Sequence, residues 1–299
     1  MEGADALAPA PKRSVGRRLA DLFYGRPRAA VAALLSGPVT WLVIGYLGSL
    51  AVLLVAAFWS VDALSGELTR SFSLNNYQIL IDDSVYRIVA QRTVLIALLV
   101  TLTDVLLAFP IAFYMAKVAS PRAKGILLVA VLMPLWSFYL VKAYAWRIIL
   151  SDGGILNWAL HPFGITGPGL QGTLPAYLTF TYLWLPFMIL PIYAGLERIP
   201  NSLLSASEDL GAGPLTTFRR VILPLAFPAV VAGSIFTFSL TLGDYITPQL
   251  VTSTQFIGNV IKANIATNLP LASAYATVPI VVMVVYLLIA RRLGAFEHL

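Results

Sequence analysis

Ile199-Pro200-Asn201-Ser202-Leu203-Leu204-Ser205-Ala206-Ser207-Glu208-Asp209-Leu210-Gly211, running on through Gly213-Pro214 to Val221-Ile222-Leu223-Pro224, is a polar stretch between two apolar blocks. Pro200 lacks the N–H a helix interior needs, so it ends the helix before it, and Asn201 or Ser202 is placed to cap a new one. A short helix of polar and small residues is expected to reach Leu210, where Gly211 supplies a stop that tolerates positive φ. Gly213-Pro214 restarts the chain, because proline suits the first helical turn. That second helix carries Arg219 and Arg220 and meets Pro224 at the edge of the next apolar run. Two short helices joined by a glycine turn therefore sit between two membrane-length blocks. An unspecialised loop would require neither the small residues at 205–207 nor this placing of glycine and proline.

Composition sets the surroundings of this loop. Of 299 residues, 59% are apolar and 11% charged, against roughly 25% charged in a soluble domain. Mean hydropathy is +0.82. The expected fold class is all-α: a polytopic membrane protein with six transmembrane helices, in contact with membrane lipid. The pI near 9.6 does not point to nucleic acid, since the basic residues flank apolar blocks and form no single patch. The absence of cysteine excludes disulfides, thiolate metal sites and cysteine nucleophiles. With two histidines, His161 and His298, no imidazole metal cluster is expected. No Gly-x-x-x-x-Gly-Lys-Ser/Thr loop is present, so no cofactor is expected on this chain and any ATP and Mg belong to a partner. A membrane-embedded enzyme would need a cluster of His, Asp, Ser or Cys at membrane depth, which the scattered acids do not supply. A self-contained secondary transporter would show paired broken spans in two related halves, and no such repeat is visible.

The spans follow from the apolar blocks. Residues 1–28 form a basic tail in which Leu22, Phe23 and Tyr24 are placed to lie on lipid headgroups. The next apolar stretch, Ala29 to Trp59, exceeds the ~7–15 residues of a signal-peptide core and reads as an uncleaved first span. Ser36-Gly37-Pro38 is expected to interrupt it, leaving an interfacial elbow over 29–35 and a span over 39–60. Further spans are expected at 92–118, 126–150, 174–196, 225–242 and 272–290, each near or above the ~20 residues needed to cross the hydrocarbon. Of the 20 Lys and Arg, the tail holds six, 117–125 three, 196–224 three and 290–299 two. Cytoplasmic loops collect such residues, so both termini and the 199–224 loop are expected to face the cytoplasm.

The loop resembles the signature loop of permease subunits of binding-protein-dependent ABC importers. That pattern is Glu-Ala-Ala, three residues, Gly, nine residues, then Ile-x-Leu-Pro. Here Ser205-Ala206-Ser207 stands in the Glu-Ala-Ala place, Gly211 matches, and Val221-Ile222-Leu223-Pro224 closes the pattern. The leading family glutamate is replaced by Ser205. Glu208-Asp209-Leu210-Gly211-Ala212 is similar to the Arg-Asp-Leu-Gly-Ala of the spermidine/putrescine branch. Asn75-Asn76-Tyr77, Gly154-Ile155-Leu156-Asn157 and Gly243-Asp244-Tyr245-Ile246-Thr247-Pro248 resemble elements of the same branch. The resemblance implies a type I importer permease domain over 39–292, with a cytoplasmic tail and elbow over 1–38 and a C-terminal tail over 293–299. It also implies a bacterial inner-membrane assembly with ABC ATPase subunits, a second homologous permease and an extracytoplasmic solute-binding protein. The implied solute is a polyamine. Related permeases with similar loops carry ferric iron, opine-type amino compounds or aminophosphonates.

Within that frame the 202–211 helix is read as a lever docked on an ATPase, with Ser205, Ala206, Ser207, Glu208, Asp209, Gly211, Leu223 and Pro224 as its residues. Charges at membrane depth are costly and face a bundle interior or a water-filled path. Lys142 and Arg147 lie beside Trp136, Tyr139, Tyr144 and Trp146 and read as snorkelling interface anchors. Asp104, near mid-span, is either bonded to a neighbouring helix or part of the path. Asp244 beside Tyr245 offers a passing organic cation a carboxylate and a ring face, or else caps its own turn. Asp104, Trp136, Tyr139, Asp244 and Tyr245 are the candidate path residues.

Overall fold

A computed structural model describes residues 27–62 and 66–292, so most of the basic tail, with Leu22, Phe23 and Tyr24, and residues 293–299 lie outside the described residues. The chain divides into two units, residues 1–55 and 56–299. In the first, α1 (Pro27–Trp41) continues through a wide π-type turn (Leu42–Leu47) into α2 (Gly48–Ala56). Ala30–Ala56 is long and apolar enough to cross a bilayer. The expected interruption is not there: Ser36-Gly37-Pro38 lies inside α1. In an apolar segment the helix is the arrangement that satisfies most backbone groups, and the Ser36 hydroxyl folds back onto the Ala33 carbonyl at 2.7 Å.

The second unit opens with an antiparallel pair, β1 (Ser60–Val61) and β2 (Leu68–Thr69), Ser60 opposite Thr69. α3 (Asn75–Asp82) carries the Asn-Asn-Tyr element. Asn76 is 4% exposed, and its amide donates to the Ala57 carbonyl at 2.9 Å and the Trp59 carbonyl at 2.7 Å. Asp83 caps α4 (Ser84–Phe113), its carboxylate accepting from the Val85 N–H at 2.8 Å. A π-type turn (Tyr114–Val118) then leads to α5 (Pro121–Trp136), capped by Ser120.

The third block departs from a straight rod. α5 stops at Trp136 and α6 (Tyr139–Leu150) starts after two extended residues, the α5 axis and the Tyr139–Phe163 segment differing by 92°. Pro134 removes one helical N–H at this point. Its own carbonyl, without a helical donor at the break, takes the Ser137 hydroxyl at 2.9 Å and the Lys142 ammonium at 2.9 Å. Lys142 is therefore a cap on the bend and not a snorkelling anchor. Arg147 stays exposed and donates to the Leu250 carbonyl at 2.5 Å.

α7 (Ile155–Leu160) is pinned by Asn157, whose carbonyl oxygen accepts from Gly167 N–H at 2.5 Å and whose amide donates to the Ser151 carbonyl at 3.1 Å. Then come α8 (Leu174–Arg198), α9 (Asn201–Asp209), α10 (Pro214–Thr217), a π-type turn (Phe218–Ile222), α11 (Leu223–Gly243), α12 (Ile246–Val251), α13 (Ile257–Ile265) and α14 (Leu269–Arg292). Among the described residues, five helical segments are long and apolar enough to span a bilayer, and six if the bent pair is one span.

α4, α8 and α11 form the centre of this unit. Small residues let α8 and α11 approach closely: a β carbon at Gly195 would lie 2.4 Å from that of Ala229, and one at Gly233 would lie 2.7 Å from Met188 Sδ. Ala108, Ala112, Met188, Ile192 and Ala226 fill the end nearer α9. Ile96, Val100, Phe180, Leu183 and Trp184 fill the opposite end. α14 joins through Tyr286, which donates to Ser234 Oγ at 2.6 Å and stacks on Phe238 at 4.4 Å.

Candidate functional site

The loop between α8 and α11 has the glycine turn that its residues require. Gly211 has φ +75°, its N–H donates to the Glu208 carbonyl at 2.8 Å, and Ala212 N–H donates to the Ser207 carbonyl at 3.0 Å. This closes the C-terminus of α9 around a left-handed residue. Two expectations are corrected. Neither Asn201 nor Ser202 caps α9: Pro200 occupies that position with no side-chain cap, and Asn201 is already helical. Nor is α10 a separate helix, since it runs through the Phe218–Ile222 turn into α11 as one segment, Pro214–Gly243. Pro224 cannot donate to the Arg220 carbonyl, and the backbone widens there and does not stop.

Ser205, Ala206, Glu208, Asp209, Gly211, Leu223 and Pro224 are exposed, whereas Ser207 turns inward, its hydroxyl 2.9 Å from that of the buried Thr217. Leu204 packs on the core below, while Leu210 is 88% and Leu215 68% exposed. The element therefore has a fixed inner side and an outer side on which Ser205, Glu208 and Asp209 are exposed together with Leu210. Lys117, at the end of the α4 segment, donates to the Ile199 carbonyl at 2.5 Å and reaches Asn201 Oδ1 at 3.4 Å. Lys124 pairs with Glu197 and lies 5.4 Å from the Tyr193 ring centroid. These two lysines tie the α4–α5 turn to the base of α9, a connection that sequence spacing did not reveal because the partners are more than 70 residues apart.

At the opposite end, Gly243 ends α11 and Asp244 caps the turn into α12. One Asp244 oxygen accepts from Ile246 N–H at 2.8 Å and Thr247 N–H at 3.3 Å, and the other accepts from the Thr247 hydroxyl at 2.7 Å and from the Tyr139 hydroxyl. Tyr139 also contacts Thr247 Oγ1 at 2.5 Å. Asp244 thus caps its own turn and keeps its negative charge, and Tyr139 joins it because the 92° bend swings α6 toward α12. No lysine or arginine among the described residues pairs with Asp244. The Tyr139 ring stacks on Trp184 (6.0 Å, 12°), and Trp184 meets Phe187 at 6.0 Å. Trp184 was not anticipated; an aromatic within an apolar span carries no signal of its own until its neighbour is known.

The other path candidates are not brought into this cluster. Trp136, 86% exposed, ends α5 beside the bend. Tyr245 is exposed, with the Lys262 ammonium 4.6 Å from its ring centroid and also bonded to Gln249 Oε1 at 2.8 Å. Asp104 is 0% exposed, inside the bundle, and no protein donor reaches either of its oxygens. Among the described residues, no group of three or more His, Cys, Asp or Glu is arranged to hold a metal ion.

The profile of the family described as "Binding-protein-dependent transport system inner membrane component" matches residues 87–296. The chain is 43% identical over 306 aligned residues to the inner membrane ABC transporter permease protein YdcU of Escherichia coli (strain K12), covering 97% of each chain. It is 31% identical to the spermidine/putrescine transport system permease protein PotB of Haemophilus influenzae, covering 85% of this chain and 90% of that one. Among solved structures, a chain of a bacterial alginate ABC transporter superposes with a TM-score of 0.70 at 16% identity, covering 91% of this chain and 98% of that one. At that identity the likeness is one of fold.

Proposed function

The chain belongs to the family of binding-protein-dependent transport system inner membrane components and is a multi-pass permease subunit of an ABC importer, and we propose that the solute it passes is a polyamine. The observation that carries the proposal is the Asp244 cluster. A carboxylate without a cationic partner, held by Tyr139 and Thr247 beside the Tyr139–Trp184 stack, offers an alkylammonium group charge and ring faces together. Supporting it are the Glu208–Ala212, Asn75–Tyr77 and Gly243–Pro248 stretches and the likeness to a spermidine/putrescine permease. A binding protein outside the membrane delivers the solute, a second permease completes the path, and ATPase subunits bind ATP and Mg and close under the exposed face of α9. In this arrangement both termini and α9 face the cytoplasm.

The test is uptake of labelled putrescine and spermidine into proteoliposomes holding the whole complex, its binding protein and internal ATP. Import of either amine is expected, with Asp244→Asn lowering it at least tenfold while the complex still assembles. A binding protein that takes ferric iron or an aminophosphonate and no amine would overturn the polyamine assignment.

A further inference from the structure

Among the described residues, three buried side-chain polar atoms have no protein partner: both oxygens of Asp104 and the indole nitrogen of Trp184. Their surroundings make this more than a packing accident. Val100, one turn to one side of Asp104, belongs to the cluster containing Trp184, and Ala108, one turn to the other side, belongs to the cluster containing Met188. Asp104 therefore stands at the seam between the two halves of the α4–α8 contact, where α11 also closes in through Thr101 and Thr237, 3.4 Å apart. Hydroxyls are present on these helices but are engaged elsewhere. Thr101 donates to the Ala97 carbonyl at 2.7 Å, Ser234 to Val231 at 2.7 Å and Thr241 to Thr237 at 2.7 Å. A desolvated carboxylate with no donor costs several kcal/mol, and an apolar side chain of like size would be cheaper there. A residue that burdens this conformation is explained if it serves another.

We propose that Asp104 is an ammonium-binding carboxylate of the translocation path, shut away in this conformation and opened when α11 parts from α4 and α8. For the identity of the cation this rests on the polyamine reading; for the location it does not. Asp104 lies three residues beyond Thr101 on α4, and Asp244 seven residues beyond Thr237 on α11 in the opposite direction along the bundle. At 1.5 Å per residue the α carbons of the two acids are about 15 Å apart along the axis. That exceeds the reach of a four-carbon diamine, so they act as successive stations. Trp184, stacked on Tyr139 next to Asp244 and clustered with Val100 next to Asp104, supplies a ring face between them.

The chain has no cysteine, so Asp104→Cys introduces a unique thiol into this subunit of the complete importer. Its reaction with a cationic methanethiosulfonate is followed on the separated subunit, with the complex nucleotide-free and then vanadate-trapped. Labelling at least tenfold faster in one state, slowed by putrescine, is the expected result. Asp104→Asn, which keeps the shape and removes the charge, is expected to lower putrescine uptake at least tenfold in a complex that assembles and hydrolyses ATP. A thiol unlabelled in both states, or an asparagine variant that transports like the parent, overturns the inference. If the parent complex imports no putrescine while labelling still switches with nucleotide, the polyamine reading has failed and the place of Asp104 in the path is upheld.

Discussion

Substitution at Gly211 separates the shape of the α9 turn from the face it presents. The residue has φ +75°, and a β carbon there would meet nothing within 4 Å. Alanine therefore adds no clash, and its cost is the left-handed backbone alone, about 1–2 kcal/mol. That is about a 5–30-fold shift in the local equilibrium between the closed turn and an opened one. The turn has two bonds to hold it, Gly211 N–H to Glu208 and Ala212 N–H to Ser207, and asparagine visits this backbone region more readily than alanine. Gly211→Asn is expected to behave closest to the parent and Gly211→Ala to retain part of its transport-coupled ATPase activity. Gly211→Arg has the same backbone cost but places a long charged side chain beside exposed Leu210. It is expected to lower coupled ATPase activity at least tenfold further than alanine. The assay is ATP hydrolysis by the reconstituted complex with and without loaded binding protein, beside thermal melts of each variant. If arginine keeps full coupling, α9 is not the docked lever. If alanine loses as much coupling as arginine, the backbone turn and not the presented face is what matters.

Other outcomes test the scaffold. Asn76→Leu leaves the Ala57 and Trp59 carbonyls without their donor and is expected to destabilise the complex by about 2–4 kcal/mol, read as a lowered melting temperature. Gly233→Val forces apart α8 and α11, because even its β carbon comes 3.2 Å from Met188 Cα; a cost of about 1–3 kcal/mol and reduced uptake are expected. Glu197→Gln removes the Lys124 pair, whose side chains are 27% and 47% exposed. It is expected to leave the melting temperature nearly unchanged, because a solvated pair is screened, and a clear loss would mean that the Lys124–Tyr193 contact depends on the pair.

Several features were legible in the chain because their cause is local. Apolar block length and the scarcity of charge called for a helical membrane bundle, since backbone groups in lipid have no other partners. The turn at Gly211 and the stop at Gly243-Asp244 follow from residues a few positions apart. The Ser36-Gly37-Pro38 reading failed for the converse reason: local breakers were weighed without the apolar surroundings that keep the helix together. The bend at Ser137 was missed because it depends on Lys142 reaching back to the Pro134 carbonyl.

The sequence by itself determined the class of molecule, the number of apolar blocks and the form of the loop, because each rests on composition or on spacing within one or two helical turns. Only the tertiary structure decided that Tyr139 meets Asp244, that Trp184 stacks on Tyr139, that Lys117 holds the base of α9, and that Asp104 is sealed without a donor. These depend on which helix faces meet across separations of 80 residues or more for the Lys117 and Tyr139 pairs. Periodicity shows that a helix has an apolar face; it does not say which helix that face will touch.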